Sequence, residues 1–324
     1  MNNDDFESHQ PDEKISEIED ENSSSPEPTM PPAQAAVFAL ISVFLLYQIG
    51  GSLLTLLIFG FDFQNADTNA IRLLTAGGQI LLILAPTLIF AKLVYQDVTS
   101  VIRFKSTTIK ELGIFILGLI ILIPLLQTYL ALQNQLTAWL SDHFEFFYTI
   151  KTFLDTLNEF IEATYSDLLR ADGLSEAILI VFIVSVVPAV CEEIFFRGFV
   201  LKSFEYKYTP FVSALITALF FGLYHFNPYG LVALIVLGVY LGFATYKSDS
   251  IFIAMVLHFL NNFVAIMAFF IFGEEDFMET AVYSSDALAG QFISFFALLC
   301  VFVVFIYYVK KYYTSLKTNK ETLI

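Results

Sequence analysis

With 324 residues, 57% of them hydrophobic and 16% aromatic, and a mean hydropathy of +0.70, the chain lies far outside soluble domains, which average about 45–50% apolar residues. It belongs with multi-pass membrane proteins. Acids outnumber bases 32 to 16, for a formal net charge of −16. The excess is concentrated before Pro31 and in the segments 142–176 and 274–286, so it is solvated loop charge; it marks no site for a basic ligand and excludes nucleic acid as a partner.

Residues 1–30 carry ten acids against Lys14 alone and include Ser23-Ser24-Ser25-Pro26 without apolar periodicity, so residues 1–32 are expected to form a disordered acidic tail. A cleavable signal peptide has a basic region ahead of its apolar run, and Met1-Asn2-Asn3-Asp4-Asp5 is the reverse; the first span is expected to stay in the mature protein. Apolar runs near bilayer length, about 20 residues at 1.5 Å each, recur at roughly 35–58, 76–96, 112–132, 178–201, 210–226, 230–246, 250–272 and 288–309. They predict an all-α membrane bundle of about eight transmembrane helices over residues 33–312.

Lys and Arg in short loops mark the cytoplasmic side. Arg103, Lys105 and Lys110 follow span two, Lys202 and Lys207 span four, Lys247 span six, and Lys310, Lys311, Lys317 and Lys320 span eight; the opposite loops hold only Arg72, Lys151 and Arg170. Both termini are therefore expected in the cytoplasm, with 313–324 a basic tail and the cell membrane the expected location. Between spans three and four, at about 133–177, Leu154, Leu157, Ile161, Tyr165 and Leu168 recur at steps of three and four, predicting an amphipathic interfacial helix. It reads either as a helix lying on the bundle or bilayer surface or as a substrate gate. No internal repeat is visible, and Cys191 and Cys300, in apolar spans without metal-type spacing, read as packing residues.

Span four holds Cys191-Glu192-Glu193-Ile194-Phe195-Phe196-Arg197. One charged side chain near mid-bilayer costs about 2.5–3.5 kcal/mol on insertion scales, so three together need internal pairing and a purpose. On a helix Glu193 and Arg197 are four apart with the acid N-terminal, the favourable orientation for an ion pair, whereas Glu192 points about 100° away. Glu192 is thus the free carboxyl, and its setting suits a general base. Pro188 removes a backbone donor, leaves one carbonyl unpaired and predicts a bend beside the acids.

Two histidines also lie in apolar spans, His225 and His258, whereas His9 is in the tail and His143 in the outer segment. His258 and Asn262 are one helical turn apart and can present an imidazole and an amide to one point, an oxyanion clamp. Phe221 shares the face of His225 and would pack and dry the site. Each feature alone has a plainer reading, as a hydrogen bond or ion pair that holds helices together. Glu192, His225, His258 and Asn262 on three spans make a convergent constellation that packing does not require. At 1.5 Å per residue, His225 lies about 22 Å along span five and His258 about 10 Å into span seven. Span five must therefore tilt or be short, turning at Asn227-Pro228-Tyr229-Gly230.

At these residues the sequence resembles the CPBP (CAAX prenyl endopeptidase and bacteriocin-processing, Abi) family of intramembrane proteases. Glu192-Glu193-x-x-x-Arg197 matches its EExxxR, Phe221-x-x-x-His225 its FxxxH and His258-x-x-x-Asn262 its HxxxN. The resemblance covers about 178–265, the expected protease core. It implies hydrolysis of a peptide bond in or near the membrane, with Glu192 activating water, His225 assisting, and His258 and Asn262 holding the oxyanion. Glu193, Arg197 and Phe221 would support them. The expected partners are membrane lipids and a peptide or membrane-protein substrate. A metal is left open: there is no HExxH, but Glu192, His225 and His258 are the donors if an ion is held, and zinc is the ion such a set suits. Two alternatives from other classes remain, a proton-coupled transporter using the same Glu and His chain and a non-catalytic immunity or scaffold protein.

Overall fold

The computed structural model describes residues 27–61, 66–278 and 285–321. Among them there is no strand. The chain is a bundle of α1 (Pro32–Phe59), α2 (Thr68–Tyr95), α3 (Ile109–His143), α4 (Glu145–Leu169), α5 (Leu174–Glu205), α6 (Pro210–Tyr224), α7 (Leu231–Ser248), α8 (Ile251–Gly273) and α9 (Ala287–Ser315). All but α4 and α6 are long and apolar enough to cross a bilayer. Helix α6 is apolar too, but its 15 residues reach about 22 Å against a hydrocarbon thickness of roughly 30 Å. The expected eight spans are seven full ones and one short one.

Most of the acidic N-terminal tail, residues 1–26, lies outside the described residues, as do 279–284 of the acidic segment at 274–286 and the last three residues. The basic C-terminal segment continues the last helix as far as Glu321. Helix α3 does not stop near residue 132. It opens on a capping box in which Thr108 and Glu111 exchange side-chain and backbone hydrogen bonds, and it runs 35 residues to His143. The separate interfacial helix therefore begins only at Glu145.

Helix α5 is the centre of the bundle. Its Phe195, Phe196, Phe199 and Phe204 pack against Ala35, Ala36 and Ala39 of α1 and Ala91, Val94 and Tyr95 of α2, the small alanines letting the backbones approach where lipid offers no hydrophobic drive. Helices α6 and α7 close on each other the same way. A Cβ added to Gly238 would lie 2.9 Å from Ala218 Cβ, and one on Gly242 would lie 2.9 Å from Ala214 Cβ.

Arg72, expected in an outer loop, is 2% exposed. The reason is that α2 starts earlier than its apolar run, at an N-cap where Asp67 accepts from Ala70 N at 2.9 Å. The Arg72 guanidinium donates to Leu168 O at 2.9 Å, to Asp167 O and Arg170 O, and to Asn69 Oδ1 at 2.6 Å. It thereby satisfies carbonyls at the end of α4 that have no helical partner.

Candidate active site

Helix α5 places the two glutamates between π-helical turns at Phe182–Val186 and Ile194–Val200, with Pro188 in the first turn of the segment Val187–Glu193. Such turns break the helical register and are frequent at functional sites. Glu193 and Arg197 are both wholly buried, and Arg197 Nη1 donates to Glu193 Oε1 at 2.7 Å. The other arm of the guanidinium, Nη2, donates to Gly238 O at 3.1 Å. The guanidinium carbon stands 4.4 Å from the centre of the Phe221 ring, a cation–π contact in a dry setting.

His258 Nδ1 reaches the same Glu193 Oε1 at 2.7 Å. Arginine stays cationic, which marks Glu193 as a carboxylate that only accepts; the proton of that bond therefore sits on His258 Nδ1, and Nε2 is left for other work. His225 follows the same logic. Its Nδ1 lies 2.7 Å from Phe221 O, and a carbonyl accepts only, so Nε2 is again the free nitrogen. That Nε2 faces Glu192 Oε2 across 3.9 Å, too long for a direct hydrogen bond and a separation that one bridging water closes. Phe221 stands edge-on to both imidazoles, 4.6 Å from His225 and 5.9 Å from His258.

Asn262 Nδ2 donates to Val184 O at 3.0 Å. Val184 is four residues before Pro188, so the carbonyl deprived by the proline finds its donor in a different helix. One of the two amide protons of Asn262 is spent there, and its oxygen accepts from Asn261 Nδ2 at 3.2 Å.

Glu192, His225, His258 and Asn262 all line one cavity of about 590 Å³, whereas Glu193 and Arg197 stand behind its wall. Helix α4 forms part of that wall through Asn158, Ile161 and Leu168, so two residues of its apolar stripe reach the cavity, while Leu157 is exposed. The helix is tied to the loop after His225. Tyr229 donates to Asp155 Oδ1 at 2.5 Å and Lys151 to Asp155 Oδ2 at 2.6 Å. Burial pushes the Asp155 carboxyl up, but Lys151 and the Tyr229 hydroxyl outweigh it and hold the group below its ordinary range. In the same loop Phe226 adopts φ 50°, Asn227 Oδ1 accepts from Gly230 N at 2.7 Å, and Gln133 Nε2 donates to Tyr229 O at 2.9 Å. This short hairpin ends α6 at the depth where His225 meets Glu192.

Among the described residues no three His, Cys, Asp or Glu side chains stand close enough to hold a metal ion. Glu192, His225 and His258 therefore do not form a ready donor set in this arrangement.

The EExxxR, FxxxH and HxxxN residues thus come from α5, the end of α6 and α8 to one place. Residues 174–264 match the Rce1-like family model, Type II CAAX prenyl endopeptidase Rce1-like. The Rce1-like segment runs from the start of α5 to two residues past Asn262 and contains all three motifs. It agrees with the CPBP resemblance and supports a CAAX-type intramembrane protease in general terms. Helices α1 to α4 and α9 lie outside it. No curated protein and no solved structure gives a match to the chain.

Outside the Rce1-like segment, the cavity also takes Thr75 and Gln79 from α2 and Tyr47 from α1, which the motifs do not reach. The signal for Gln79 was present in the sequence as an amide heading the apolar run Ile80-Leu81-Leu82-Ile83-Leu84, since polar side chains within spans line interiors and pathways.

Proposed function

We propose that the protein is an intramembrane endopeptidase that hydrolyses a peptide bond in a membrane-embedded or lipid-proximal segment, with both termini in the cytoplasm. The observation that carries the proposal is the 3.9 Å gap between the Glu192 carboxylate and the free Nε2 of His225 on the wall of the shared cavity. A water held in that gap gives one proton to Glu192 and hydrogen-bonds His225 Nε2 through the other, which aims its lone pair at the scissile carbonyl. Asn262 supplies its remaining N–H to the developing oxyanion. His258 joins as a second donor only as the imidazolium, because its neutral ring keeps the proton on the Glu193 side. After attack, the proton on Glu192 passes to the leaving amine.

Glu193 and Arg197 act by position, holding the His258 ring and neutralising each other out of reach of substrate. The assay is cleavage by purified, folded protein. Glu192→Gln is expected to lower kcat by about 10²–10⁴-fold, the range for a positioned general base, with an unchanged thermal-unfolding midpoint. Undiminished cleavage removes Glu192 from the chemistry. Proton flux in reconstituted vesicles that depends on Glu192, with peptides left intact, would instead favour the transporter reading.

A further inference from the structure

Gln79 lies on α2, outside the family-matched segment, and is 8% exposed. It lines the cavity, and its Oε1 has no hydrogen-bond partner among the described residues. The residues one turn to either side fix its place: Ala76 packs on Ile183, Val187 and Cys191 of α5, and Ile83 packs in the cluster that contains Phe195 and Phe196. A π-helical turn begins at the next residue, Ile80. Other carboxamides on the wall are committed, Asn227 to Gly230 N and Asn262 to Val184 O. A buried amide group left unmatched is costly, and here it lines the same cavity as Glu192, His225, His258 and Asn262.

A peptide segment must unwind before water can reach its carbonyl. Its backbone N–H and C=O groups then lack partners in a water-poor place. A carboxamide matches a peptide unit, accepting through oxygen and donating through nitrogen. We propose that Gln79 is a substrate-positioning residue, whose carboxamide pairs with one backbone amide of the unwound segment and so selects which carbonyl is presented to Glu192. It recognises main chain, so it is indifferent to the side chain at the paired position. The proposal rests on the endopeptidase reading.

The test uses full-length protein in detergent and an internally quenched peptide with an S-farnesyl cysteine followed by three residues. A matched series replaces single amide N–H groups by ester oxygens. Gln79→Met keeps the shape and removes the hydrogen-bonding groups. It is expected to raise KM about tenfold with kcat within about twofold, and its thermal midpoint should equal or exceed the wild type's, because an unmatched polar group is replaced by an apolar one of similar size. One ester position should cost the wild type about tenfold in kcat/KM and the Gln79→Met protein nothing. An ester series that affects both proteins alike overturns the proposal, as does an unchanged KM. Binding of the same series to Glu192→Gln, with and without Gln79→Met, reads the contact without turnover. Gln79-dependent discrimination in binding without wild-type cleavage would sink the endopeptidase reading and leave this contact standing.

Discussion

Glu193 Oε1 accepts from Arg197 and from His258 at 2.7 Å each, and this one atom couples the folding of the bundle to the orientation of a site imidazole. Both Glu193 and Arg197 are wholly buried. Removing one partner strands the other charge, which costs about 3–5 kcal/mol in buried pairs. Arg197→Met is therefore expected to lower the thermal midpoint in detergent sharply. Arg197→Lys should recover only part of the loss, because an ammonium cannot reach Glu193 and Gly238 O in the planar fork that arginine provides. Equal stability of wild type and Arg197→Met would contradict the pairing. The ion pair was legible in the sequence, since a spacing of four is local geometry. Its third member was not, because His258 lies 65 positions away and only the packing of α8 on α5 brings it there. The deprived carbonyl near Pro188 was likewise legible as a gap, and its donor, Asn262, was not.

Elements were legible where one signal ruled. Apolar runs locate the spans, and the depth of His225 called for a fifth one that is tilted or short; α6 has only 15 residues. Lengths failed where polar residues stay helical: α3 passes through Gln133, Asn134 and Gln135 to His143, because helix formers such as Gln, Leu and Ala carry the helix beyond its apolar run. The α6–α7 contact sets Gly238-x-x-x-Gly242 against Ala214-x-x-x-Ala218, a small-residue pattern typical of close helix pairs in membranes. Gly238→Ala puts a methyl 2.9 Å from Ala218 Cβ and 3.3 Å from Arg197 Nη2. Overpacking of this kind costs about 1–3 kcal/mol. The expected result is a lower thermal midpoint together with reduced activity, since the shift falls on the guanidinium that orders Glu193. Gly290→Ala, with open space around its Cβ, is the control and should change neither.

Across the whole molecule, the end of the bundle that carries the basic loops is fastened by one charge cluster. Arg103, 3% exposed, pairs with Glu205 at the end of α5 and with Asp249 after α7 at 3.1 Å, and Lys105 pairs with the same Asp249. Two hydrogen bonds to backbone carbonyls run alongside, Ser250 Oγ to Lys105 O at 2.6 Å and Ile251 N to Arg103 O at 3.1 Å, so the end of α5, the turn after α7 and the start of α8 meet at the loop after α2. Partial burial pushes the Asp249 carboxyl up, but Lys105 and Arg103 overcome it and hold the group below its ordinary range. A carboxyl with a lower pKa folded than unfolded stabilises the fold above the unfolded value, about 3.9 for Asp, and the contribution is lost as pH falls through the folded value. At pH 5–7 the Asp249 contribution is therefore fully present, and it is lost only below about 4. Asn tolerates the left-handed backbone that Asp249 adopts at φ 52°, so Asp249→Asn removes charge without strain. Its thermal midpoint is expected to fall below the wild type's at pH 7, with the difference shrinking as both are acidified below pH 4; a constant difference across that range would mean that the Asp249 charge does not fasten the bundle.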